Sequence, residues 1–154
     1  MRTNILNRLA AGMIWAALGT AGIAAETSPL PDPILVLTGL EYYETGGKEW
    51  TRYHYRVANL ADFPNELFAA SPDLPPCGTN TQAARTWLDF HADGGKRLYG
   101  FCTLRNRDDL GKIWFNVETA VAPPKLVYIV LNDRLTNTTC KSNLAPTAKG
   151  PGSL

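Results

Sequence analysis

The chain has 154 residues, of which 45% are hydrophobic and 10% aromatic, with 15 basic and 14 acidic side chains. This length allows one domain with a substantial core, but not two. The near balance of charge argues against nucleic acid or an anionic lipid surface as a partner, because both call for a net basic surface.

The N-terminus has the three parts of a secretory signal peptide. A basic stretch, "MRTNILNR", precedes an apolar run from Leu9 to Ala25 that ends in small residues. This order predicts export with cleavage after Ala24 or Ala25, a secreted or periplasmic location, and no membrane association afterwards. An uncleaved membrane anchor is the alternative, and the shortness of the run and its glycines favour the signal peptide.

The rest of the chain divides into a core segment and two flanks. Residues 26–33 and 146–154 are rich in Pro, Gly, Ser and Thr and poor in large apolar groups. Such composition predicts a linker before the domain and a flexible tail after it. The domain itself is expected over residues 34–145.

Seven segments of this domain are predicted to be strands. They are rich in β-branched and aromatic residues and are separated by turn signals. The segments are 34–45, 48–59, 85–91, 97–102, 112–118, 125–134 and 140–145. One possible helical turn lies near residues 65–70.

Two hairpins are expected among these strands. Gly46-Gly47 joins the first pair, and "ADGGK" joins the third and fourth strands. Along the second strand Tyr53, Tyr55 and Val57 alternate with polar residues, which predicts a sheet with one dry face. The opposite, wet face carries Trp50, Arg52 and His54.

The last two strands differ in character. Residues 125–134, "KLVYIVLNDR", are apolar at successive positions, which predicts a central strand covered on both faces. "LTNTT" then turns the chain into 140–145, the expected edge strand. Seven strands with short turns predict an all-β, antiparallel sandwich, with a small β-barrel as the alternative fold.

This layout resembles the immunoglobulin and fibronectin type III superfamily over most of the exported chain. "PPKLVYIVLNDRLTNTTCKSN" is similar to the last two strands of such a module. The pattern "FPNELF…LPPCGTN…RTWLDF…GKRLYGFC…IWF…PPKLVYIVLNDR" also resembles a group of short secreted bacterial proteins with no assigned activity. The resemblance therefore implies a fold and export, and implies no reaction.

Three cysteines follow the predicted signal peptide, and an oxidising compartment favours pairing. We expect a bridge between Cys77 and Cys102, because it would anchor a long connection to a strand. Cys140 would then be free or would pair between molecules. A Cys102–Cys140 bridge between neighbouring strands is the main alternative.

The connection over residues 60–84 is unusually long for a compact domain. It carries Phe63, Phe68 and Leu74, which a disordered loop would not need. One interpretation is that these side chains cap the open end of the sandwich. The other is that they form a partner-binding ridge held by prolines and the disulfide.

Catalytic motifs are not found in the sequence. A cysteine nucleophile needs a histidine base, and His54 and His91 lie in no familiar motif. Carboxylates at residues 89, 93, 108 and 109 are predicted to lie in turns, where they are solvated and shape the backbone, and their spacing matches no calcium loop. We therefore expect no catalysis, no cofactor and no metal.

The sequence thus predicts an exported, non-catalytic binding module whose partner is another protein or a surface glycan. The alternative function is a carbohydrate-binding module that stacks sugar rings on exposed aromatic side chains, with Trp50 as the best candidate. The sequence does not specify an oligomeric state.

Overall fold

The structure, a computed structural model, describes residues 30–72, 74–77 and 83–148. The predicted signal peptide lies outside these residues. Within them the fold is all-β, with 3₁₀ turns as the helical elements. No helix of the described part is long and apolar enough to cross a membrane. The strands are β1 (Leu35–Thr45), β2 (Lys48–Val57), β3 (Thr86–Ala92), β4 (Arg97–Phe101), β5 (Ile113–Glu118), β6 (Leu126–Asp133), β7 (Thr138–Lys141) and β8 (Ala145–Pro146).

The strands form two antiparallel sheets. One sheet has the order β1-β2-β5, and the other has the order β4-β3-β6-β7, with β8 pairing to β6 as well. The prediction of an all-β fold with packed antiparallel sheets is confirmed. The alternative of a barrel is wrong, since the two sheets do not close on each other.

Both predicted hairpins are present. Gly46 and Gly47 have φ values of 61° and 71°, the left-handed backbone that a two-residue hairpin turn needs. Their turn sets the register of β1 on β2, so that Thr45 faces Lys48 and Glu41 faces Arg52. The second hairpin turns at Gly95, which also has a positive φ.

The core lies between the sheets and follows the predicted alternation. Tyr53 and Tyr55 of β2 point inward and stack with Phe115 of β5, with ring centroids 5.0 and 5.9 Å apart. Phe90 of β3 meets Phe115 from the other sheet at 5.3 Å. Aromatic contacts across the interface therefore hold the two sheets together.

Strand β6 is central, as predicted, because β3 pairs on one side and β7 and β8 pair on the other. The expectation that both its faces are fully covered is wrong. Val127, Ile129 and Leu131 are buried, whereas the alternate side chains are only half-buried. No layer of described residues covers the outer face, and its apolar groups are shielded by single side chains such as Lys141 over Tyr128.

The C-terminal edge also differs from the prediction of one strand over residues 140–145. Asn137, with a φ of 55°, ends the turn, so β7 starts at Thr138. After β7 the Ser142 hydroxyl accepts a hydrogen bond from the backbone N–H of Ile129, which replaces a strand contact. The chain then returns to β6 as β8.

The domain extends beyond both predicted boundaries. Leu30 packs against the core, and Pro33 is buried, within the segment expected to be a linker. Thr147, expected in the tail, is 6% exposed, and its hydroxyl donates to the carbonyl of Pro124. Apolar content alone did not reveal these contacts because they involve small or single side chains.

Candidate functional site

The predicted Cys77–Cys102 disulfide is present and connects the long loop to the end of β4, with 6.1 Å between the Cα atoms. Cys140, a residue of β7, is free, and its side chain is buried in the core. The alternative Cys102–Cys140 bridge is therefore wrong. Burial raises the pKa of the Cys140 thiol to about 11, so the thiolate needed for nucleophilic attack is scarce at neutral pH.

The long loop contains two core aromatics rather than a ridge. Phe63 and Phe68 are fully buried, and their rings meet edge-on at 6.4 Å. They lie on or beside the 3₁₀ turns Leu60–Asp62 and Asn65–Phe68. As candidate partner-binding residues both are corrected by the structure, because a side chain with no exposed surface cannot contact a partner.

Leu74, the third loop candidate, is only half-buried. The neighbouring carbonyl of Pro75 accepts a hydrogen bond from the Arg134 guanidinium, which links the loop to the β6–β7 turn. A short bridge between Ala70 and Ala84 closes the base of the loop. The loop is therefore tied to the domain by the disulfide, by this bridge and by Arg134.

An ion pair that the sequence did not indicate fixes the end of this loop. Arg85 donates from Nε and Nη2 to the two carboxylate oxygens of Asp133, at 2.8 and 2.5 Å. Asp133 is 2% exposed and also accepts from the Thr136 hydroxyl. The Arg85 hydrogen bonds hold the pKa of Asp133 down, at about 2. This pair therefore connects the end of the loop to the β6–β7 turn.

The second candidate region is the outer face of the three-stranded sheet, and here the predicted residues do come together. Trp50, Arg52 and His54 lie side by side along β2 and are all partly exposed. Glu41 of β1 lies between two of them. Its Oε2 atom is 3.0 Å from His54 Nε2 and 3.2 Å from Arg52 Nη1.

A cleft opens beside this network. Gly39, His54 and Trp114 face one another across β1, β2 and β5. A Cβ added at Gly39 would meet no atom within 4 Å, so the space over this glycine is open. The cleft has a volume of about 540 Å³ and is lined by Thr38, Gly39, Glu41, His54, Lys112 and Trp114, among others.

Several polar atoms of the cleft remain uncommitted. Both hydrogen bonds to Glu41 use Oε2, and no described side chain donates to its Oε1. Likewise, the described residues offer no hydrogen-bond partner to His54 Nδ1 and no ion pair to Lys112. A carboxylate oxygen, an imidazole and an ammonium group are thus available to a ligand.

The aromatic faces near this cleft are largely occupied by a cation. The Arg52 guanidinium lies 4.5 Å from the Trp114 ring centroid and 4.8 Å from that of Tyr43. Trp50 is half-buried, and its indole nitrogen is enclosed without a hydrogen-bond partner among the described residues. Stacking of a sugar ring would therefore compete with Arg52 at two of these rings.

The prediction that these carboxylates lie in turns is confirmed for Asp93, Asp108 and Asp109 and is wrong for Asp89, which lies within β3. Asp109 Oδ2 accepts from the N–H groups of Arg105 and Asn106 at the 3₁₀ turn Arg107–Gly111. Asp89 pairs with Arg97 at 2.8 Å, and Asp93 accepts from the N–H of Gly94. No group of three or more potential metal ligands occurs in the described part of the chain.

Sequence reasoning missed Glu41, Gly39, Lys112 and Trp114 as parts of the site. Glu41 was within reach, because the turn at Gly46-Gly47 fixes a register that places it opposite Arg52. The contributions of β5 and the 3₁₀ turn before it depend on the long-range pairing of β2 with β5, which no local pattern specifies.

We compared the chain with protein-family models, curated proteins and solved structures, and none of the three comparisons gave a match. The function must therefore be inferred from the residues of this chain.

Proposed function

We propose that the protein is an exported, non-catalytic binding domain whose ligand site is the cleft on the outer face of the β1-β2-β5 sheet. The observation that carries the proposal is the open cleft over Gly39, with uncommitted polar atoms on Glu41, His54 and Lys112. Concave sites with a few convergent polar groups are the usual places for ligands.

Export is supported by two features. The first is the basic, apolar and small-residue order of the N-terminal 25 residues. The second is the Cys77–Cys102 disulfide, which is compatible with an oxidising compartment such as the periplasm or the extracellular space. We propose that the processed protein acts in one of these two compartments.

The strand order supports an immunoglobulin or fibronectin type III-like topology. In constant-type immunoglobulin domains the first, second and fifth strands share one sheet, and the third, sixth and seventh share the other. The strands β1, β2 and β5, and likewise β3, β6 and β7, follow this division. The departure is β4, which pairs with β3, where the constant-type fourth strand pairs with the fifth.

The surroundings of His54 and Cys140, the two candidate reactive groups, support binding without turnover. His54 Nε2 is held by Glu41, and the same carboxylate oxygen also holds Arg52. Nucleophilic catalysis with this histidine as the base needs a nucleophilic side chain as its hydrogen-bond partner. No such partner occurs among the described residues. The Cys140 thiol is buried and belongs to β7, in the sheet opposite the one that carries the cleft.

The proposal can be tested with the chain's two histidines. The processed protein and its His54→Ala and His91→Ala variants would be applied to a glycan array and to extracellular or periplasmic protein from the same cells. We expect each genuine ligand to lose at least tenfold in affinity with His54→Ala. His91→Ala is the matched control, since His91 lies on the other sheet, stacked on Tyr128.

Equal binding by all three proteins would contradict the assignment of the cleft. Release of a chemically altered ligand after incubation with the protein would contradict the non-catalytic part of the proposal. Preferential capture of glycans by a route independent of His54 would support the carbohydrate-binding alternative.

A further inference from the structure

Strand β1 is an edge strand whose outer side is open along most of its length. The N–H of Ala58 donates to the carbonyl of Ile34, so at the start of β1 the even-numbered residues direct their backbone groups toward β2. The bulge between Leu37 and Gly39 inserts one residue, so beyond it the odd-numbered residues direct their backbone groups toward β2. Beyond the bulge Glu41 and Tyr43 direct their backbone groups toward β2, and the alternate residues direct theirs outward.

The outward backbone groups belong to Leu40, Tyr42 and Glu44. No other described strand pairs with β1 on that side. Among the described residues, this edge is covered only at its beginning, where Asn143 accepts from the N–H of Leu35 and donates to its carbonyl. Tyr42 is 72% exposed, so the middle of the edge is open to solvent. An uncovered edge is a template for another strand.

The cleft lies directly beside this edge. Thr38, Gly39 and Glu41 line it from β1, so a chain paired with β1 would pass along its rim. Gly39 has no side chain and has free space above it. A side chain from an added strand would therefore pass over Gly39 and enter the cleft without a steric clash. A glycine within a strand often marks such a close approach.

The charge that β1 itself brings to this edge is acidic, although Glu41 is already paired with Arg52 and His54. Between Thr38 and Thr45 the chain carries Glu41 and Glu44 and no basic residue. Glu44 faces Glu49 directly across the β1–β2 pair, and neither carboxylate forms an ion pair with a described residue. Like charges in facing positions destabilise a strand pair, and an incoming cation would relieve the repulsion.

We infer that β1 binds an extended, basic segment of another protein as an additional strand, with one of its side chains seated in the cleft over Gly39. The inference rests on the proposed function and specifies its ligand. Backbone hydrogen bonds to Leu40, Tyr42 and Glu44 supply affinity, and the cleft supplies selectivity. This division of roles is general for recognition by strand addition.

A second copy of this chain is a poorer occupant. Pairing β1 with β1 would bring two acidic strands together and add further glutamates to the unrelieved pair at Glu44 and Glu49. A lysine- or arginine-bearing strand meets the same edge with opposite charge.

The test uses the full chain expressed for export and purified in its processed form. A displayed library of random nine-residue peptides would be selected on it, and one enriched peptide would be synthesised. We expect enriched sequences to alternate Lys or Arg with β-branched residues. With the peptide bound, the amide hydrogens of Leu40, Tyr42 and Glu44 should exchange at least tenfold more slowly.

Tyr42→Pro removes an outward N–H without removing a β1–β2 hydrogen bond. It should weaken peptide binding at least tenfold. Thr139→Pro is the matched control, because Thr139 is exposed on the edge strand β7 of the other sheet. Thermal melting of both variants would verify that they fold, and the exchange measurement on the unchanged protein does not depend on either variant.

Acidic or proline-rich enriched sequences, no enrichment, or unchanged exchange at the three amides would each overturn the inference. Protection of these amides without peptide, together with a dimer in sedimentation, would assign the edge to a second copy instead. If His54→Ala abolishes ligand binding while Tyr42→Pro does not, the cleft remains the site and strand addition fails.

Discussion

Two regions of the chain, the loop over residues 60–84 and the outer face of β2, both combine aromatic with polar residues, yet the fold uses them in opposite ways. The loop turns Phe63 and Phe68 inward, where no surface of either remains exposed. The β2 face keeps Trp50, Arg52 and His54 at the surface, because strand alternation leaves every second residue outside. A sheet face preserves the exposure that its pattern predicts, whereas a loop is free to bury whatever is apolar.

The sharpest test of this contrast is Phe68→Ala. Removing a fully buried ring leaves a cavity, so we expect the free energy of unfolding to fall by about 3–5 kcal/mol. Denaturant unfolding measures this loss. Glu66→Ala, an exposed change in the same 3₁₀ turn, is the control and should cost less than about 0.5 kcal/mol. A small loss with Phe68→Ala would return the loop to the list of candidate binding surfaces.

Removing the disulfide also distinguishes the two regions, because the bridge constrains the loop and not the β2 face. In a Cys77→Ala/Cys102→Ala double variant, freeing a loop of this size should lower stability by about 3–4 kcal/mol in the chain-entropy description. Ligand binding at the β2 face should persist in the folded fraction. Non-reducing peptide mapping of the native protein should show Cys77 linked to Cys102. A binding defect larger than the folded fraction explains would mean that the loop contributes to the site.

Acid should act through the ion pair at the end of the loop. The Arg85 hydrogen bonds lower the pKa of Asp133 from 3.8 to about 2, so its contribution to stability is full above about pH 5 and is lost as the pH falls toward 2. The loss should be about 2 kcal/mol. Asp133→Asn should be less stable at neutral pH and should lack this part of the acid dependence in denaturant unfolding. Parallel pH profiles for the two proteins would contradict it.

The smallest expected change in stability comes from the other region. Gly39→Leu should alter the free energy of unfolding by less than about 1 kcal/mol, because the added side chain enters open space. It should nevertheless block the cleft and reduce ligand binding at least tenfold. Gly94→Leu, in the β3–β4 turn and also without close neighbours, is the control that should leave binding unchanged. A loss of several kcal/mol with Gly39→Leu would show that the space over Gly39 is not open.

Local patterns were sufficient for strands β1 to β6 and for both hairpins, but not for the C-terminal edge, where β7 and β8 replace the one predicted strand. Alternation at Tyr53, Tyr55 and Val57 predicted the buried face of β2, and the glycine pair at residues 46 and 47 predicted its turn. These features depend on neighbours in sequence. The Cys77–Cys102 bridge followed from the need to anchor a long connection.

Other features depend on residues that are far apart in the chain. Arg85 and Asp133 are 48 positions apart in the chain. The residues next to them in sequence do not distinguish them from charged residues at the surface. The placement of Trp114 beside His54 needs the β2–β5 pairing. The candidate site was therefore predictable along β2 and, through the hairpin register, at Glu41 of β1, but not at the residues that β5 contributes.

The free thiol of Cys140 has a practical consequence. It is the one cysteine outside the bridge, and its side chain points into the core from the short edge strand β7, so that opening of this edge would expose it to reagents. Its rate of reaction with an alkylating reagent therefore reports how often the edge detaches, without any engineered probe. Comparing that rate with the rate of complete unfolding would show whether this protein opens first at its C-terminal edge or as a single unit.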